Sequence, residues 1–294
     1  MAIDTAHVDE WHGEDVSIAE IQKRLAGMRE SAADGHSDLR TSVMTHTAWV
    51  PRTWLDAARG ALAGLAEMHP SRTVLLVPEP DAGRDAIDAT LSVHCFPVEG
   101  EARQICSEVI ELHLAGSRAG APASIVEPLL ISDLPVFSRW RGRPPFGSTE
   151  FEQMVRVVDR LIVDSSEWPD LPESYKELVG CVDQTAVSDI AWRRSLGWRA
   201  SLATMWPGIA KVEKVEVKGP TADALLLAAW LRSRLERKVK LEHEEADELE
   251  AIAVDGDPVP APRGERPDPS ALLSAELDQF GHDRIYEQAL RAAL

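Results

Sequence analysis

Arg72–Pro78, RTVLLVP, is a short unbroken apolar run with polar residues before it. Val and Leu on both faces over that length is the pattern of a strand covered on both sides, which belongs to parallel sheets flanked by helices. Upstream, 40–50 (RTSVMTHTAWV) is β-branched and partly alternating and predicts a strand. Pro51 then suits a helix start, and the Ala/Leu-rich stretch 52–68 predicts a helix. Still earlier, Ile18, Ile21, Leu25 and Met28 recur at helical spacing, which predicts an amphipathic helix over 17–33.

Downstream of the run, 89–97 and 104–114 alternate around Glu99-Gly100-Glu101 and predict an antiparallel hairpin. A helix over 122–131, a strand over 134–140, a helix over 148–158 and a buried strand over 160–165 (RLIVDS) follow. This order predicts an α/β fold with a mixed, largely parallel sheet carrying an antiparallel hairpin. A boundary near Pro169–Pro172 divides the chain into an acidic disordered arm (1–16), an N-terminal α/β domain (17–168) and a smaller α+β C-terminal domain (169–294).

In that last part, 186–206 reads as one Trp-rich helix bent at Gly197, and 211–217 (KVEKVEV) alternates as a strand. A helix is expected from Thr221 to Arg237, with the Thr221 hydroxyl as cap and Asp223 in its first turn. Residues 238–243 and 248–254 could pair as strands. Five prolines within 258–269 mark a stiff linker, and two short helices, 270–280 and 283–293, end the chain.

The chain has 294 residues and a formal charge of −18, from 31 Lys plus Arg against 49 Asp plus Glu. That balance argues against nucleic acid or an anionic membrane as partner, since Lys and Arg hold both. The charge is local: residues 1–15 carry five acids and 242–257 carry eight, neither stretch with a Lys or Arg, which is −13 of the −18. Each stretch reads either as a solvated edge or as a docking surface for a basic partner. No apolar run approaches the roughly 18 residues that cross a bilayer, and the N-terminus lacks a secretory pattern, so a cytoplasmic protein is expected.

Motifs for phosphate-binding loops, zinc proteases and serine hydrolases are missing, so no catalytic, cofactor-binding or metal-binding residues are assigned. His46, His94 and His113 lie on predicted strands and read as independent side chains rather than a metal set. Cys95 and Cys106 are different. A two-residue turn at Gly100-Glu101 pairs positions summing to 201, which sets these two cysteines opposite each other. They read either as a redox pair or as two reduced, buried small hydrophobes.

Asp133–Phe146, DLPVFSRWRGRPPF, is the most unusual segment. Arg139, Arg141 and Arg143 alternate, with Trp140 between the first two, at the end of a predicted parallel strand. Such a row suits bidentate binding of a carboxylate or phosphate, or an interface anchor; it also suits a surface row offsetting an acidic chain. Trp192, Arg193, Arg194, Trp198 and Arg199 form a second concentration. Packing inside the molecule and a partner-binding face both fit it.

Taken together, LRTSVMTH (39–46), HPSRTVLLVP (69–78), DLPVFSRWRGRPP (133–145), DRLIVDSS (159–166), DIAWRRSLGWR (189–199) and LDQFGHDRIYEQAL (277–290) resemble the OpcA family, the glucose-6-phosphate dehydrogenase assembly proteins of actinobacteria and cyanobacteria. The resemblance implies a non-catalytic assembly factor or allosteric activator that binds glucose-6-phosphate dehydrogenase and supports the oxidative pentose phosphate pathway and its NADPH supply. It supplies no catalytic residues. The alternative is a sugar-phosphate sensor or enzyme using Arg139, Arg141 and Ser165 at a strand-end crevice.

Overall fold

The computed structural model describes residues 7–33, 37–39, 42–63, 65, 69–97 and 103–294. It divides the chain into two compact units, 1–161 and 162–294. The fold class is the expected one: mixed α/β with a large, mostly parallel sheet and a second, smaller sheet.

The first unit runs β1 (His7–Gly13), α1 (Ile18–Ala33), β2 (Ser37–Leu39), β3 (Met44–Trp49), α2 (Leu55–Ala63), β4 (Ser71–Glu79), β5 (Ala86–Pro97), β6 (Arg103–Ala115), α3 (Pro122–Val126), β7 (Val136–Trp140) and α4 (Thr149–Val157). β8 (Arg160–Val163) straddles the division between the units. Strand order in the first unit is β1-β5-β6-β4-β3-β7, with β2 also beside β6. β4 is parallel to both β3 and β6, and its Val74, Leu75, Leu76 and Val77 are buried, as the unbroken apolar run requires.

β3 is buried along its whole length despite three polar residues. Thr45 Oγ1 accepts from the Ile131 N–H at 3.3 Å, and the Thr47 hydroxyl donates to the Phe137 carbonyl at 3.4 Å, so burial leaves both threonine hydroxyls paired, whereas His46 Nε2 is buried with no hydrogen-bond partner among the described residues. β5 and β6 form the expected antiparallel pair, in which Cys95 is opposite Cys106. The turn that led to this register, Gly100-Glu101, lies outside the described residues, as do residues 1–6 of the expected arm.

Residues 7–13 of that arm are not disordered: they form β1, antiparallel to β5 with Trp11 opposite Leu91. Acidity alone was a poor guide here. Val8 and Trp11 interrupt the acids, and the edge of β5 supplies the backbone partners that a lone strand lacks. Arg24 stacks over the Trp11 ring at 5.5 Å.

The second unit contains α5 (Ser174–Val182), β9 (Ala186–Asp189), α6 (Ile190–Arg194), α7 (Leu196–Thr204), β10 (Lys214–Gly219), α8 (Thr221–Leu235), β11 (Lys240–Glu245), β12 (Ala251–Val254), β13 (Asp257–Pro258), α9 (Pro269–Leu277) and α10 (Arg284–Ala292). The single helix expected over 186–206 is instead a strand and two helices. Asp189 ends β9 and caps α6 by accepting from the Ala191 N–H at 2.9 Å. The break between α6 and α7 falls at Ser195, whose hydroxyl donates to the Trp192 carbonyl at 2.9 Å. Gly197 serves packing: a Cβ there would meet the Pro262 ring at 2.9 Å.

β11 and β12 do not pair with each other. β10 lies between them, parallel to β11 and antiparallel to β12. The intervening 15-residue α8 is the reason, because a helix-long crossover returns the chain parallel to its first strand. α8 is apolar on nearly all faces and largely buried, the signature of a helix covered on every side. Its cap is Pro220 rather than Thr221, whose hydroxyl is engaged by Glu245.

Candidate functional site

In the first unit, β7 carries the first part of the unusual Arg/Trp segment into an aromatic cluster. Trp140 is 1% exposed and stacks on Trp49, with ring centroids 4.8 Å apart and planes 14° apart. Phe151 of α4 meets Trp140 edge-on at 5.0 Å and Phe146 edge-on at 5.4 Å. α4 is placed by its Ser148 cap, which accepts from the Phe151 N–H. Arg141 lies 4.5 Å over Trp54, and Arg143 lies 5.3 Å over Phe146. Such stacking desolvates one face of each guanidinium.

Arg139 points inward, 5% exposed, and donates to the Trp140 carbonyl at 2.6 Å. Burial, reinforced by the Arg139 charge, pushes His46 down to about 4, so its imidazole is neutral at physiological pH. The three arginines therefore differ in environment despite their alternation.

At the ends of β4 and β6, His113 bridges two carboxylates, Glu79 at 3.0 Å and Glu111 at 2.9 Å. Arg59 binds Glu111 in bidentate fashion at 2.6 and 2.9 Å. Burial opposes ionisation of Glu111, yet hydrogen bonds from His113 and Arg59 hold it down at about 2. His113 is raised in turn, chiefly by its bond to Glu111. The set is a satisfied ion network.

The second Trp/Arg concentration is built into the core of the second unit. Trp192 and Trp198 are 4% and 7% exposed. The Trp192 indole donates to Asp283 at 3.0 Å, and Arg199 stacks 3.3 Å over its ring. Burial, with Arg193 nearby, lowers Arg199 to about 10. Arg193 donates to Glu276 at 2.5 Å. Arg194 grips Asp223 through two bonds of 2.9 and 2.8 Å, with Asp164 at 3.5 Å. Although burial opposes it, this pairing holds the Arg194 guanidinium above its ordinary value.

Around that pair sits a group that sequence reading missed. Asp189, fully buried, accepts from the Ser165 N–H at 3.1 Å and from the Tyr286 hydroxyl at 3.4 Å. Ser165 and Tyr175 share a hydroxyl contact at 3.1 Å. Burial, with Asp164 close by, pushes Asp189 up to about 7. The available signal was an Asp at a strand end, Asp164 just after β8 and Asp189 closing β9, a position that helix capping explains equally well. Ser165 is thus enclosed among protein groups, not facing an open crevice.

Part of this unit remains open. A cleft of ≈ 560 Å³ lies beneath the Pro-rich segment, lined among others by Arg193, Arg194, Trp198, Leu249, Arg263 and Arg266. Among the described residues no group of three or more His, Cys, Asp or Glu is arranged to hold a metal ion. No helix among them is long and apolar enough to cross a membrane.

Residues 63–179 match a family model described as the glucose-6-phosphate dehydrogenase subunit N-terminal domain, and 185–263 match the corresponding C-terminal domain. The chain is 28% identical over 191 residues to the OxPP cycle protein OpcA of Synechococcus elongatus, covering 60% of this chain and 42% of that one. The Nostoc punctiforme protein of the same name is 27% identical over 62% of this chain and 42% of its own length. The Synechocystis protein is 25% identical over 58% and 38%. The matches thus span about two-fifths of the length of these relatives.

Proposed function

The chain belongs to the OpcA family of glucose-6-phosphate dehydrogenase assembly proteins, and from that premise we propose that it is a non-catalytic factor that binds glucose-6-phosphate dehydrogenase and promotes its assembly or activity. The observation that carries this reading is the tandem match of both family domains along the chain. The role fits a cytoplasmic protein of the oxidative pentose phosphate pathway.

The physical requirement is linkage. A factor that binds the competent state of the dehydrogenase more tightly shifts its population by that difference in affinity. Activation of ten- to a hundredfold needs only about 1.4–2.8 kcal/mol. The contact is proposed to use the segment bearing Arg141 and Arg143 in the first unit and, in the second, the open cleft bearing Arg193, Arg194 and Trp198. Arg139, Trp140, Trp192 and Arg199 act from beneath, by fixing those side chains.

Copurification with the cognate dehydrogenase, followed by its rate with and without this chain, tests the reading. Association with a rate increase is expected; no association, or association without effect on rate or oligomeric state, overturns it.

Cys106 is disulfide-bonded, and Cys95 stands opposite it in the β5–β6 register, whereas Cys181 is a buried thiol that donates to the Glu177 carbonyl at 3.7 Å. The first two are proposed as a reversible redox pair. Forming the bond removes two protons and two electrons, which a peroxide accepts to leave as two waters. Non-reducing peptide mapping after peroxide and then after dithiothreitol is expected to show a Cys95–Cys106 cross-link that appears and disappears. A cross-link found in neither sample, or unaffected by reductant in the folded protein, removes the pair from any switch.

A further inference from the structure

The open edge of the first sheet lies at β1. Its partner on one side is β5, and β1 ends the strand order, so on its outer side every second residue presents an N–H and a C=O with no neighbouring strand among the described residues. Beside that edge runs α1, and between them lies an open groove of ≈ 760 Å³. Asp9, Glu10 and Trp11 form its strand wall; Lys23, Gly27 and Met28 lie on its helix wall.

The groove is built into the fold. Gly13 has no side chain because the Trp11 ring occupies that space: a Cβ there would lie 2.2 Å from the indole. The ring is thereby laid along the strand, and Arg24 stacks on it. Ile21 and Leu25 bury the opposite side of α1. At Gly27 a Cβ would meet nothing within 4 Å, so the helix wall is open where a helix former such as Ala would serve folding better.

We infer that this groove takes an extended, Lys- or Arg-bearing segment of a partner protein, which adds to the sheet as a strand along β1. Main-chain hydrogen bonds to the free edge supply its affinity, and alternate side chains entering the groove supply its selectivity. Charge chooses the occupant. An added strand lies directly against β1, which carries Asp9 and Glu10 and no Lys or Arg; on the helix wall Glu20 offsets Lys23, and Arg24 is held over the Trp11 ring, so the acids nearest the added strand set the sign. Opposite charges across adjacent strands attract and like charges repel. A second copy of this chain paired about the centre of β1 would set Glu10 against its own counterpart, with Asp9 of each copy next to that pair, so that self-pairing is disfavoured and a basic segment is favoured.

The inference does not depend on which protein supplies the segment, and it is tested with synthetic peptides. Two nonapeptides of alternating Val and Thr are made with Lys at three positions in one and Glu at the same positions in the other. Amide exchange is followed in the full chain. The Lys peptide is expected to slow every second amide of β1 by about tenfold or more, and the Glu peptide to leave them unchanged. Gly27→Leu, whose Cβ would meet nothing within 4 Å, is expected to narrow the groove, to retain the fold as judged by its unfolding midpoint, and to weaken Lys-peptide binding by about tenfold. Binding of both peptides alike, no protection of β1, or binding indifferent to Gly27→Leu overturns the inference. So does concentration-dependent protection of β1 without peptide, which would make a second copy the occupant.

Discussion

Replacing Arg194 by Met is expected to destabilise the second unit by about 3–5 kcal/mol, the cost of removing one partner from a buried ion pair. Asp223 is fully buried and both of its carboxylate oxygens are held by Arg194, at 2.9 and 2.8 Å. Asp164 is held by the same guanidinium at 3.5 Å, and Asp189 is the next acid in the cluster. Without Arg194 these acids lose the guanidinium that pairs Asp223 and Asp164. Met preserves the aliphatic stem, so lost packing contributes little. The double variant Arg194→Met/Asp223→Leu should recover much of the loss, because the uncompensated charge rather than the missing attraction dominates the cost. Urea midpoints of the three proteins measure this. A loss below about 1 kcal/mol in the single variant would mean that Arg194 behaves as a surface residue, where exposed pairs contribute at most about that amount.

The second large effect is a pH dependence governed by Asp189. Its folded value is pushed up to about 7 from an ordinary 3.8. The folded state therefore binds the proton more tightly than the unfolded chain does. The stability that goes with the proton is complete below pH 3.8 and is lost as pH rises through about 7. The full difference is up to about 4 kcal/mol, from about 1.36 kcal/mol for each pKa unit.

Asp189→Asn keeps the geometry. The amide oxygen can still accept from the Ser165 and Ala191 N–H groups, and the amide nitrogen can turn its donor to Tyr286. The variant should match the wild-type chain near pH 4 and exceed it in stability near pH 8. Parallel stability profiles of the two proteins from pH 4 to 8 would show that Asp189 stays ionised. That outcome would place the Arg194 charge, rather than burial, in control of the cluster.

Local patterns carried much of the fold. The β4 run, the alternating β5 and β6 segments and the periodic apolar face of α1 each describe an environment that their own residues suffice to define. The β5–β6 register was legible because pairing positions on a hairpin have a constant sum, which set Cys95 against Cys106. The pairing of β11 and β12 was not legible. Both are short strands near β10 in sequence, and only the placement of α8 decides which edge each one joins.

Residue type and alternation revealed where Arg and Trp concentrate but not which way they face. Trp140 and Trp192 are interior residues, and Arg139 lies beneath the surface that its neighbours Arg141 and Arg143 reach. The sequence by itself determined the α/β class, the family and the local concentration of negative charge, since composition, periodicity and motif are properties of contiguous residues. The tertiary structure alone decided that the acidic N-terminal stretch becomes an edge strand beside an open groove. It alone gathers Asp164, Asp189, Arg194, Asp223 and Tyr286 into one buried cluster. Those outcomes depend on residues distant in the chain sharing one low-dielectric space or one sheet edge, where the energy of each charge is set by neighbours that its own segment does not specify.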